Sequence, residues 1–172
     1  SISNGLIEAT IDECGRITHL RRLSDEHNVC GRLPDGARAP LNQLMLYEDR
    51  PQAWEAWDID AHHKEKAYPI QAPADDWRIV ESGPMRGAIE VSRSLGRFSR
   101  ITQRFILEAG SPRLDIHTRV DWHETRRLLR ALFPVDVRAR SATYEIQFGH
   151  IERETHANTT WQQAMFEVCA HT

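Results

Sequence analysis

Leu114-Asp115-Ile116-His117-Thr118-Arg119-Val120-Asp121-Trp122 is the stretch that decides the fold class. Leu114, Ile116, Thr118, Val120 and Trp122 alternate with Asp115, His117, Arg119 and Asp121. A period of two sends one set toward a core and the other toward solvent or a partner, which is the signature of a half-buried β-strand. Upstream, Ala88–Leu95 follows a turn at Gly83-Pro84, and Gly96-Arg97 leads into a second run through Ile101, Phe105 and Leu107. Those two runs predict a hairpin, and Gly110-Ser111-Pro112 supplies the next turn. Nearer the N-terminus, Leu6 to Ile11, the turn Asp12-Glu13-Cys14-Gly15 and Ile17 to Leu23 predict another hairpin. Residues 24–40 are polar and rich in Gly and Pro, as a long loop would be. Leu44-Met45-Leu46-Tyr47 is a short apolar run closed by Pro51, and the pattern is irregular from there to Pro73. Downstream, Tyr144, Ile146 and Phe148 alternate with polar residues, and so does the run from Met165 to Ala170. Residues 124–133 carry a helical stripe of Leu128, Leu129, Leu132 and Phe133. Strand candidates outnumber helices so heavily that the chain reads as an all-β sandwich or barrel.

The chain has 172 residues, enough for one domain with a core and too few for two comfortable ones. Hydrophobic residues make up 40% and charged residues 27%, an ordinary balance for a globular protein. No apolar run is long enough to span a membrane, and the opening Ser1-Ile2-Ser3-Asn4-Gly5 shows no signal peptide. A net charge of -3 leaves no basic field to attract nucleic acid. Lys64 and Lys66 are the lysines, the other basic residues being arginines, a bias that genomic base composition explains. Cys14, Cys30 and Cys169 form an odd, sparse set without CxxC spacing. That argues against a disulfide framework or a structural zinc site, and a cytoplasmic setting is the simplest inference.

No familiar catalytic spacing emerges. His62 and His63 are adjacent, and in a strand they would face opposite ways. His150 and His156 bracket a turn-like stretch, but no HExxH or other recognised zinc spacing is present. Neither a Gly-x-Ser-x-Gly elbow nor a phosphate-binding glycine loop occurs. We therefore expect no catalytic residues and no metal ligands within this chain. Two segments have the makings of a sugar contact. Trp54-Glu55-Ala56-Trp57-Asp58-Ile59-Asp60 sets carboxylates beside indoles. A pyranose packs its apolar face on an aromatic ring while carboxylates accept its hydroxyl hydrogens. Spacing alone describes this stretch better as a loop pinned to the sheets by two tryptophans. The second segment, His150, Arg153, His156, Asn158 and Trp161, is denser in polar and aromatic groups than a connection needs. It suits a binding loop or an interdomain contact surface equally well. Trp54, Trp57, Asp58, Asp60, His150, Arg153, His156, Asn158 and Trp161 are thus the candidates for bordering or binding a substrate.

These stretches resemble glycoside hydrolase family 38 α-mannosidases of the cytosolic and bacterial type. The resemblance rests on Asn42-Gln43-Leu44 through Arg50-Pro51, on Trp54 to Asp60, and on Val120-Asp121-Trp122-His123-Glu124 with Phe133-Pro134-Val135. It is strongest over Ala142-Thr143-Tyr144-Glu145-Ile146-Gln147-Phe148-Gly149-His150, running on through Arg153, Thr155-His156, Asn158-Thr159 and Trp161. Glu154 stands where the family usually has proline. The resemblance implies a galactose-mutarotase-like β-sandwich from the C-terminal region of a retaining, zinc-dependent exo-α-mannosidase. It implies that the nucleophile and the Zn2+ ligands belong to an N-terminal catalytic barrel and helical bundle of the same polypeptide, and none carries over to a position here. The partners it implies are that barrel and a mannose-containing oligosaccharide. It also makes residues 124–133 extended, and we prefer that to the helix because an all-β setting overrides a modest helical preference. Loops 48–63 and 149–161 would then pack on the barrel and border the sugar cleft. The rival readings are a free-standing carbohydrate-binding module and a scaffold that touches no sugar.

Overall fold

The computed structural model describes residues 1–54 and 59–164. Its base is an antiparallel meander of four strands, β6 (Asp76–Ser82), β7 (Arg86–Leu95), β8 (Ser99–Glu108) and β9 (Leu114–Asp121). Two three-stranded sheets lie on one face of it. The first is β1 (Ile2–Ser3), β2 (Ile7–Ile11) and β3 (Ile17–Arg22). The second runs in the order β10 (Arg127–Leu132), β4 (Gln43–Glu48), β5 (Ala67–Pro69). Paired bonds of 2.9 Å between Ile17 and Leu41 stitch the two together. Ala9, Ile11, Ile17, Cys30 and Leu41 pack from the first sheet and its loop onto Ile89, Val91 and Phe105. Leu44, with Leu46 and Leu129, packs from the second onto Leu95 and Ile101. Two apolar layers close on one another, so the all-β sandwich read from the sequence is what forms.

Each predicted hairpin is present, and its turn chemistry explains it. Between β2 and β3, Asp12 accepts from the backbone of Cys14 (2.9 Å) and Arg16 (2.8 Å), while Gly15 takes φ +73° against Val91. Residues 127–132 are extended, despite their helical composition. Leu129 buries against Leu44, and Arg130 reaches over the Tyr47 ring at 5.8 Å, contacts a helix could not make together. Inside the sandwich, Asn42 donates to the Gly15 carbonyl (2.8 Å) and Gln103 (2.9 Å), and Gln103 donates to Thr118 (3.2 Å). These buried amides satisfy one another and cross from one layer to the other. On the meander's outer face the Glu90 carboxylate lies between Arg78 (2.6 Å) and Arg104 (2.8 Å).

One sequence reading is corrected, and one element is new. Residues 149–154 are not loop. They form β12 (Gly149–Glu154), paired with β11 (Ser141–Ile146) around the turn Gln147-Phe148. The short helix α1 (Thr160–Ala164) was not anticipated from the sequence, whereas residues 127–132 are extended, as the family resemblance implied. The expected strand from Met165 to Ala170 lies outside the described residues.

Candidate functional site

The first candidate segment follows β4. A 3-10 helix (Ala61–Glu65) folds back over the outer face of that sheet, with His63 meeting Tyr47 edge-on at 5.2 Å between ring centroids. Asp60 builds the approach to it. Its carboxylate accepts from the Gln52 backbone (2.9 Å), and its carbonyl accepts from the His63 backbone (3.1 Å). Asp60 is thereby a loop clamp. Trp54 is exposed at φ +61°, and Trp57 and Asp58 lie outside the described residues. Beside this loop, Glu48 is gripped by Lys66 (2.8 Å) and Arg50. The Lys66 hydrogen bond and the Arg50 charge hold the Glu48 carboxyl below the usual range against the opposing effect of burial. Sequence reasoning passed over Glu48, because its second cation, Lys66, comes from a separate segment brought alongside by β5.

The second candidate segment lies at the end of β12. Antiparallel register places Arg153 opposite Ala142, His150 opposite Glu145, and Ile151 opposite Tyr144. The strand ends where Thr155 donates to the Ala139 carbonyl (2.5 Å) and its N–H donates to Arg140 (3.1 Å). The chain then turns into α1 through a reciprocal cap. The Gln162 N–H donates to the Thr159 hydroxyl (3.3 Å), and the Thr159 N–H donates back to the Gln162 side chain (3.0 Å). Asn158 adds its own N–H to the same Gln162 oxygen (2.9 Å). That is a capping box, and its signal, Thr159-x-x-Gln162, stood in the sequence unread.

The cap brings α1 back against β12. Between them is an open recess of ≈540 Å³ lined by Ile151, Arg153, Thr155, His156, Trp161 and their neighbours. Of the sequence candidates, Arg153, His156 and Trp161 converge here, whereas His150 and Asn158 do not line it. The recess offers a guanidinium, an imidazole and an exposed indole. Glu154 stands on its rim, 3.7 Å from the His156 ring and bonded to Gln162. Such a set can stack one apolar sugar face and exchange hydrogen bonds with hydroxyls around it. Zinc fits poorly: among the described residues no three His, Cys, Asp or Glu side chains come together to hold a metal. Cys14 and Cys30 are buried free thiols, the second pushed up in pKa by burial.

Comparison with known proteins places the chain. Alpha-mannosidase 2C1 of Homo sapiens is 38% identical over 171 residues, covering 99% of this chain and 16% of that protein. Alpha-mannosidase G of Dictyostelium discoideum is 39% identical over 175 residues, again 99% of this chain and 16% of that one. The chain thus spans about one-sixth of the length of these relatives. In fold it is similar to the crystal structure of an alpha-mannosidase from Enterococcus faecalis V583, with a TM-score of 0.69 at 13% identity over 94% of this chain and 20% of that one. The model of the Glycosyl hydrolases family 38 C-terminal domain matches residues 2–172, and the chain belongs to that family.

Proposed function

We propose that this chain is a non-catalytic β-sandwich portion of a zinc-dependent retaining α-mannosidase, and that it borders the cleft in which the full-length enzyme hydrolyses terminal α-mannosides. The observation that carries the reading is the convergence of Arg153, His156 and Trp161 in one recess of a family 38 C-terminal domain. Retaining hydrolysis needs two carboxyl groups ~5 Å apart around the anomeric carbon, or a carboxylate and a metal. In this reading those groups and the zinc reside on an N-terminal catalytic barrel of the same polypeptide. The sandwich supplies a wall with one aromatic platform and polar groups for the mannose hydroxyls. A reducing, cytoplasmic setting goes with core thiols kept free at Cys14 and Cys30.

Two measurements test it. The 172-residue chain, given an aryl α-mannoside and zinc, should show no turnover above background, and turnover would overturn the assignment of chemistry elsewhere. In the full-length enzyme Trp161→Ala should raise KM about tenfold while kcat changes little, the mark of lost substrate binding. An unchanged KM would remove the recess from the cleft. Heat on titrating the isolated chain with mannose would favour a free-standing carbohydrate-binding module instead.

A further inference from the structure

Arg16, Arg21, Arg38, Arg78 and Arg104 each hold a carboxylate at 3.0 Å or closer. Arg97 and Arg127, both exposed, hold none among the described residues, although each has an acid close by. Strand register sets Arg127 opposite Glu48, but Lys66 and Arg50 occupy that carboxylate. Glu124 accepts instead from the backbone of Phe98 (2.6 Å) and Arg97 (2.8 Å) and from the Ser99 hydroxyl (3.2 Å). The two guanidiniums lie over rings, Arg97 over Phe98 at 5.2 Å and Arg127 over Tyr68 at 5.7 Å. Stacking uses the flat face of a guanidinium and leaves its N–H edge oriented for a bidentate contact.

Both arginines line one recess of ≈220 Å³, where the β7–β8 turn meets the β10–β4–β5 sheet, and Leu46, Tyr68, Gly96 and Glu124 complete it. At ~30 Å³ per water that is space for about seven waters, or for a small tetrahedral anion with part of its hydration shell. Two guanidiniums stand against one carboxylate in the lining, so a single negative charge would balance it. We propose that this recess is an oxyanion site, in which Arg97 and Arg127 together take a phosphate or phosphomonoester group. A tetrahedral group offers separate oxygen edges to two forks that arrive from different layers, which a flat carboxylate does not. Arg97 sits in the β7–β8 turn and Arg127 opens β10, so a bound oxyanion also ties the two layers together. The site shares no residue with the recess of Arg153, His156 and Trp161, and does not rest on the sugar-contact reading.

The test titrates the full-length enzyme by calorimetry at low salt with inorganic phosphate and, separately, with mannose 6-phosphate. Saturable binding with a Kd of about 1 mM or tighter is expected, weakening as sodium chloride is added. Arg97→Gln combined with Arg127→Gln should weaken it about tenfold or more. Equal affinity for the two probes identifies free phosphate as the ligand, and tighter binding of the ester identifies a phosphorylated sugar; both support the oxyanion site. In the parent enzyme, phosphate should also slow phenylglyoxal labelling of Arg97 and Arg127, read by peptide mass spectrometry. Arg138, exposed and outside the recess, should label at an unchanged rate. That readout needs no variant, so it decides the matter even if the double variant does not fold. No saturable binding of either probe, binding retained in the double variant, or labelling at 97 and 127 that phosphate does not slow would each overturn the proposal.

Discussion

Glu90 shows how single residues hold the outer face of the meander. Its carboxylate accepts from Arg104 and from Arg78, and those bonds pull its pKa below the ordinary glutamate range despite partial burial. A carboxyl whose folded-state pKa is depressed stabilises the fold fully above its unfolded value, and the benefit disappears as pH falls through the folded value. Glu90→Gln should therefore cost about 1–2 kcal/mol at pH 7, the scale of a charge-assisted bond partly replaced by water. The gap to the parent protein should close in urea titrations run at acid pH. An equal gap at both pH values would show that the charge is not what matters. Residue types announced such chemistry only where groups adjoin in sequence. Asp12 with Arg16 could be foreseen, but Glu90 with Arg104 and Glu48 with Lys66 depend on strand register.

At the scale of elements, the β7–β8 turn is built around one contact. Glu124, arriving from beyond β9, accepts from the backbone of Phe98 (2.6 Å) and of Arg97 (2.8 Å), which holds its carboxyl low. Gly96 makes room for it: φ is +64°, and an added Cβ would come within 2.6 Å of the Glu124 carboxyl carbon. Gly96→Ala should destabilise the protein by about 1–3 kcal/mol, through the strained backbone and the displaced carboxylate, and a thermal melt would show it. An undisturbed melt would mean that the clamp is dispensable. The turns themselves were legible, because Gly and Pro punctuate them. The recess was half legible: Arg153, His156 and Trp161 stood out by type, but the β12 strand that carries Arg153 read as loop. Its polar run His150, Glu152, Glu154 belongs to an exposed face, and an exposed face gives no apolar alternation on that side.

At the scale of the whole molecule, the sequence told which layers exist but not how they pair. A short apolar run closed by Pro51 identified β4 and the extended nature of β10 was settled by family likeness, yet nothing local announces that Leu44 lies beside Ala131 and Tyr47 beside Leu128. Such pairing is dictated by the shared floor of Leu95 and Ile101, which both strands need to cover. The same reasoning gives the polar pin its place. Asn42, at φ +56°, turns β4 into the sandwich where Gln103 and Thr118 already face inward.

The β4–β10 ladder also has a consequence in time. The meander closes through neighbouring hairpins, whereas β4, already beside β5, must wait for its second neighbour β10, made long after it, and distant loop closure is slow. During synthesis the floor is complete before the second roof can shut, so the nascent protein spends an interval in which Leu95 and Ile101 lack the cover that Leu129 of β10 brings. Pulse-labelled hydrogen exchange during refolding should show amides of β7 and β8 shielded ahead of those in β4 and β10, and the reverse order would contradict this sequence of events.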